Sequence, residues 1–206
     1  MASFTVDARI RSAVNACALP FVLLAVAYFA WRTDAMAVQR YAIFRAGYDQ
    51  GIFTQILFYA FRGFSASVEG DVNHLAVHFS PTLFLIAPIV IAFRSTLPLF
   101  AIGALACGLG AVPLFFVARK RMPVWLAAAA SASTLFYPPL VGVATRDFHE
   151  LSLAPAAIAW LLYAVDAGRG RLAIVLACLT IGIKEDLAIG IAANGAGAAW
   201  YLHRAG

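Results

Sequence analysis

Long apolar runs broken by short polar turns make up most of this chain, and one extended polar stretch, Arg32 to Pro81, interrupts them. The runs are continuous and rich in Ala, Leu and Ile, with no apolar–polar alternation. Lipid offers no partner to open backbone N–H and C=O groups, so runs of this kind predict helices and exclude a barrel, whose strands alternate. The expected fold is all-α: a polytopic transmembrane bundle of about five to six spans, forming a single integral membrane domain over residues 1–206.

Ala13 to Trp31 predicts the first span, with Arg9 and Arg11 holding its start in the cytoplasm. Ala25-Val26-Ala27 has the form of a signal-peptidase site, yet the run reaches the roughly 20 residues a span needs, so an uncleaved helix is expected. Inside the polar stretch, Gln50 to Phe61 sets Ile52, Phe53, Ile56, Leu57 and Phe61 on one side at helical spacing. It is too short to span and fits a helix lying along the membrane face. Phe64 to Val77 reads as loop, and Ser80-Pro81 as a helix start. Then follow a short run broken by Pro88 (Thr82 to Phe93), a full span (Leu97 to Ala118), and the turn Arg119-Lys120-Arg121. Val124 to Val143, kinked at Pro138-Pro139 and with a small-residue face from Ala127 to Ser133, is the next span. Leu151 to Val165 and Leu172 to Leu202 complete the set, the last interrupted by Lys184-Glu185-Asp186.

Basic turns stay in the cytoplasm, so the tribasic turn belongs inside. If Thr82 to Phe93 crosses as well, the turn emerges outside; if that run is a half-helix or re-entrant piece, as its length favours, the turn lies inside. The N-terminus and the basic turns are then cytoplasmic, in a cell-membrane protein whose polar motif loops face outward.

Composition agrees: 63% of residues are hydrophobic and 12% charged, against roughly 25% charged in a soluble domain. The net charge of +5 resides largely in turns between apolar runs, where it orients helices, so no nucleic-acid partner is expected and the bilayer is the partner. Cys17, Cys107 and Cys178 lie within apolar runs and read as small hydrophobes, with neither a disulfide frame nor a metal site expected.

Several polar residues carry candidate chemistry. Asp49 precedes the interfacial helix, where its carboxylate either caps free N–H groups or serves as a general base. His74 and His78 are four apart but lack the glutamate of the HExxH pattern, so a hydrogen-bonding role for His78 is expected rather than metal binding. Asp147 and Glu150 have capping-box spacing; alternatively they and His149 project into a cavity shared with Asp49. Lys184, Glu185 and Asp186 fall roughly 18 Å along the last run at helical rise, where charges inside a span are functional by default and a solvated helix end is the other reading. Gly190, Gly195 and Gly197 beyond them permit close packing or unwinding. Arg45, Arg62 and Lys184 are the candidates for binding an anionic lipid head group.

The ordered strings Tyr48-Asp49-Gln50-Gly51-Ile52-Phe53-Thr54-Gln55, Asn73, His78-Phe79-Ser80-Pro81, Gly110-Ala111-Val112-Pro113 with Ala118-Arg119, Asp147-Phe148-His149-Glu150 and Lys184-Glu185-Asp186 resemble a family of prokaryotic multi-pass membrane proteins of unknown function, the DUF2079-like proteins. That family in turn resembles the GT-C superfamily of glycosyltransferases. The resemblance implies a GT-C-like core, a polyprenyl-phosphate-linked sugar as donor, transfer at the extracytoplasmic face, and an acidic residue in the first outer loop, matched by Asp49. Such proteins are usually about twice as long, so the chain is expected to be the N-terminal part of a larger protein or a truncated copy. Glu150 stands where the family often has proline, and His74 is outside the pattern.

On this reading Asp49 is the catalytic base. Tyr48, Arg45, Arg62, His78, Asp147, His149, Glu150, Lys184, Glu185 and Asp186 bind substrate or line the cavity. The cofactor is not specified; a divalent ion would be held by carboxylates. A transporter or proton-coupled carrier with a Lys184-Glu185-Asp186 relay is the alternative, although no inverted repeat is evident. A non-catalytic membrane protein that keeps the scaffold is the third reading.

Overall fold

The computed structural model describes residues 15–193 and 195. Among them the chain is helical, with one isolated antiparallel bridge between Ser65 and Asn73 as its only extended pairing. Its helices are α1 (Ala18–Ala42), α2 (Tyr48–Phe58), α3 (Ala87–Phe93), α4 (Leu97–Leu109), α5 (Ala111–Ala118), α6 (Val124–Ser133), α7 (Pro138–Ala144), α8 (Ala154–Asp166) and α9 (Gly170–Ile181). Helix resumes over residues 186–193.

By length and composition two helices are able to cross a membrane: α1, with 25 residues, and the continuous Leu97–Ala118, with 22. The α6–α7 pair makes a third if it is one span bent by 59°. The bend falls at Pro138-Pro139, as the sequence indicates, because proline removes an N–H and crowds the preceding turn. Helix length alone thus gives two or three crossings, below the five to six expected; α8 and α9, at 13 and 12 residues, fall short.

One core lies within the bundle. Ala18, Val22, Val26 and Phe29 recur at helical spacing on α1 and pack on Cys107 of α4, Ala111 and Phe115 of α5, and Ala127 and Ala128 of α6. Between helices in lipid, close packing takes the place of water exclusion as the driving force. Gly108 shows it: a Cβ there would sit 3.1 Å from the Phe29 ring and 3.3 Å from Val26. The small face from Ala127 to Ser133 is buried in the same way, at Ala127, Ala128, Ser131 and Ala132.

The second core holds the polar motifs together. Phe53, Ile56 and Leu57 of α2 pack on Leu83, Ala87, Val90, Leu99 and Phe148. Each of these side chains other than Ala87 contributes about 1.5–3 kcal/mol on full burial from water.

Hydrogen bonds fix the two ends of the bundle. At one end Lys120 and Arg121, beyond α5, both reach the Asp166 carboxylate at the end of α8, and Phe21 near the start of α1 meets Trp125 at the start of α6. At the other end Thr96, before α4, bonds to Gln50 of α2, and the Thr82 N–H donates to the Gly182 carbonyl at 2.8 Å. The segment from Pro81 to Phe93 therefore begins and ends at the same end and does not cross. It is a 3-10 turn, Pro81–Leu85, followed by the seven-residue α3.

Some boundaries differ from expectation. The first span starts at Ala18 among the described residues, and its expected start at Ala13, with Arg9 and Arg11, lies outside them. It runs on to Ala42, so the polar stretch opens with two further turns and more of regular helix. The helix expected at the membrane face is Tyr48–Phe58, and Phe61 is exposed on the turn beyond it. The Ser80 hydroxyl caps nothing. The last run is not one helix: α9 stops at Ile181, and Lys184 and Glu185 occupy a break before helix resumes at 186. A methyl at Gly190 or Gly195 would touch nothing within 4 Å among the described residues, so neither marks close packing there. Gly197 and Leu202 lie outside the described residues.

Candidate functional site

The end of α1 turns sharply. Ile43 bonds back to Gln39, and Phe44 adopts the left-handed conformation (φ 55°), which lets the Arg45 N–H reach the Arg40 carbonyl at 2.8 Å. A non-glycine residue pays strain there, and the turn brings Arg40 and Arg45 to one opening. α2 begins three residues later, at Tyr48, with Gly47 at its N-cap. Asp49 is inside the first turn and makes no capping bond. The capping reading is thereby corrected: the carboxylate interacts with the positive end of the helix dipole without closing the cap.

Gln50, buried one residue further on, ties three segments together. Its Oε1 accepts from the Phe148 N–H at 2.7 Å, and its amide donates to the Thr96 carbonyl at 3.3 Å. The loop from Arg146 to His149 is thus docked on the start of α2. Asp147 lies so close to Gly47 that a Cβ there would fall 2.5 Å from its Oδ2.

The result is a cavity of about 330 Å³ lined by Arg40, Arg45, Gly47, Tyr48, Asp49, Val143, Arg146, Asp147 and His149. Within it, among the described residues, no arginine forms an ion pair with either aspartate. Cations and carboxylates face a shared volume without neutralising one another. Against it lies an apolar groove of about 760 Å³, to which Tyr41, Phe44, Ile52, Phe58, Tyr59 and Val68 contribute; Gly47 and Tyr48 line both.

Behind the cavity is a buried pair. Glu150 is 0% exposed, with Lys184 Nζ 3.2 Å from its Oε1; His149 Nδ1 lies 3.0 Å from its Oε2 but accepts from the Leu151 N–H and so gives that carboxylate no hydrogen bond. The capping-box reading of Asp147 and Glu150 fails: His149 Nδ1 caps the turn by accepting from the Leu151 N–H, while Glu150 points inward. His149 edges on Phe53, whose ring also meets His74 and Phe148.

Farther along, Glu185 latches the break after α9 onto the His78 segment. Its Oε1 accepts a hydrogen bond from His78 Nδ1 at 2.9 Å and its Oε2 one from the Phe79 N–H at 2.8 Å. The His78 hydrogen bond, with the backbone donors, holds the Glu185 carboxyl down at about 2. Gly182 is required at this junction, since a Cβ would lie 2.6 Å from Thr82 Oγ1.

Five of the residues marked in the sequence therefore share one cavity: Arg45, Tyr48, Asp49, Asp147 and His149. Glu150 and Lys184 sit behind it through His149, and His78 and Glu185 form the adjoining latch. Two do not join. Arg62 is exposed on the turn after α2, and Asp186 is exposed where helix resumes. His74 opens a 3-10 turn and the His78 N–H bonds back to its carbonyl at 2.8 Å, so the two rings meet edge-on at 5.8 Å, but they serve different carboxylates: buried His74 hydrogen-bonds Glu69 through Nδ1, and His78 hydrogen-bonds Glu185. Arg40 and Arg146 escaped the sequence reading, and Gln50 entered it as part of the Tyr48-to-Gln55 string, with no role of its own. Arg40 becomes visible once α1 is carried to Ala42, and Arg146 is next to a marked aspartate; nothing local flags Gln50 as a three-way tie. Among the described residues no three His, Cys, Asp or Glu side chains gather as a metal site.

Apolar helices long enough to span, with a charged cavity at one end of the bundle, define an integral membrane protein. Residues 39–196 match the family of predicted membrane proteins DUF2079, and the chain belongs to it. No curated protein and no solved structure matches the chain.

Proposed function

We propose that the chain is a GT-C-like membrane glycosyltransferase, or the N-terminal part of one, that uses a polyprenyl-phosphate-linked sugar at the extracytoplasmic face. One observation carries this reading: Asp49, Asp147, His149 and three arginines, from segments about a hundred residues apart, line a cavity that opens beside an apolar groove. In an inverting transfer the acceptor oxygen bonds to the anomeric carbon as the bond from that carbon to the phosphate oxygen breaks. Phosphate leaves with the electron pair, stabilised by cations, and Asp49 takes the acceptor proton. The N-terminus and the turn at Arg119 to Arg121 face the cytoplasm on this reading, with α8 and α9 completing five crossings. The carrier reading loses its motive, because Lys184 and Glu185 occupy a helix break at the bundle end and not the middle of a span.

The test is turnover of a polyprenyl-phosphate sugar in proteoliposomes. Asp49→Asn lowers it by roughly a hundredfold or more, the usual contribution of a general base. Unchanged turnover removes Asp49 from catalysis.

A further inference from the structure

The sequence nominates Arg45, Arg62 and Lys184 for an anionic head group, and the structure redistributes that task. Lys184 is committed to buried Glu150 at 3.2 Å, and Arg62 is outside the cavity. Arg40 and Arg146, neither of them nominated, stand with Arg45 on its wall, and among the described residues none of the three guanidinium groups has an ion-pair partner. Planar guanidinium groups match phosphate oxygens in pairs and bind them with charge-assisted hydrogen bonds. Asp49 and Asp147 repel an anion, so a phosphate belongs against the guanidinium groups and any hydroxyl against the carboxylates.

We infer that Arg40, Arg45 and Arg146 form the phosphate site for a membrane-anchored phosphorylated amphiphile, whose apolar tail lies in the groove beyond Gly47 and Tyr48. The inference rests on the functional reading above and specifies which residues take the donor. Continuity commits the groove to a tail: the cavity and the groove share Gly47 and Tyr48, so a molecule with its head on the arginines passes directly onto Ile52 and Phe58. Exposed Tyr41, Tyr48 and Tyr59 on this groove are the side chains expected where membrane meets water.

The experiment compares binding of geranylgeranyl monophosphate, geranylgeraniol and inorganic phosphate to the purified full chain in detergent. The monophosphate binds best. Arg146→Gln weakens it roughly tenfold, the worth of one charge-assisted hydrogen bond, while binding of the alcohol is unchanged. Arg146→Lys recovers part of the loss, and Arg62→Gln has no effect. Phe58→Ala weakens the monophosphate and the alcohol together. Indifference of the monophosphate to Arg40→Gln, Arg45→Gln and Arg146→Gln overturns the phosphate site, as does a loss confined to Arg62→Gln. Inorganic phosphate binding as tightly as the monophosphate, with Phe58→Ala silent, overturns the tail assignment. Arginine-dependent binding without sugar turnover leaves this site standing and removes the transferase reading; turnover that needs Asp49 but none of the arginines does the reverse.

Discussion

At the basic end of the bundle Lys120 and Arg121 share the Asp166 carboxylate, Arg119 lies 4.8 Å over the Phe116 ring, and Arg169 lies 5.6 Å from Tyr163. At the motif end Arg40, Arg45 and Arg146 line one cavity together with Asp49 and Asp147, and among the described residues no ion pair joins them. Similar side chains thus do different work. Charges that satisfy one another fasten helix ends and leave nothing for a ligand. Charges kept apart by the frame are satisfied by water, which a ligand replaces. The frame that holds them apart is specific: the left-handed turn at Phe44, the Gln50 tie to Phe148 and Thr96, and the second hydrophobic core under α2.

The motif end also contains charges that satisfy one another, Glu150 with Lys184 and Glu185 with His78, and the largest predicted effect is at the first of these. Glu150 is fully buried, and its Lys184 partner is 13% exposed. Lys184→Ala leaves that carboxylate buried without its cation, at a cost of about 3–5 kcal/mol. A lowered thermal midpoint in detergent reports it, and Glu150→Leu combined with Lys184→Met restores most of the loss, because well-packed apolar side chains replace buried pairs at little cost. If Lys184→Ala melts like the parent, the pair is not fastening the break after α9 to the cavity.

Gly47 sharpens the contrast by separating stability from the site. Its backbone (φ −92°, ψ −167°) suits any residue, so Gly47→Ala meets no conformational resistance. The new methyl would nevertheless fall 2.5 Å from Asp147 Oδ2, and the carboxylate end must swing away. Stability changes by about 1 kcal/mol or less. Turnover and geranylgeranyl monophosphate binding respond more strongly than the melting midpoint. Equal and small effects on all three would place Asp147 outside the working cavity.

Much of this architecture is legible from residue order alone, for identifiable reasons. Helices, the Pro138 bend and the non-crossing run from Thr82 to Phe93 follow from local rules: apolar length, proline chemistry and the placement of basic turns. So does the choice of Asp49, Asp147 and His149, polar residues stranded between apolar runs. What escaped depends on tertiary contact. Capping spacing at Asp147 and Glu150 gave way to the pull of Lys184 from 34 residues further on. The charges from Lys184 to Asp186 looked embedded in a span because the break at Gly182 is set by Thr82 packing against it. Arg40 was hidden by an early end to α1, which apolar content alone places at Trp31 although the helix runs on to Ala42.

The smallest effect compares two carboxylates, one at each end, under acid. Asp166 is held below its ordinary range by hydrogen bonds from Arg121 and Lys120. Glu185 is held at about 2, against an ordinary 4.5, first by His78 and then by backbone donors. A depressed carboxyl contributes stability that is full above its unfolded value and disappears as pH falls through its folded one. The Glu185 latch therefore weakens as pH drops from 4.5 towards 2. Because the pair is half-exposed and screened, the loss is under about 1 kcal/mol. Hydrogen exchange at the Phe79 amide, which bonds directly to Glu185, detects it: protection falls through that window in the parent chain, whereas Glu185→Gln has lower protection that stays flat. Asp166→Asn changes the acid response near Lys120 and leaves Phe79 as it was. If Phe79 follows Asp166 instead, the ends are coupled through the bundle, and the division between a fastened end and a working end fails.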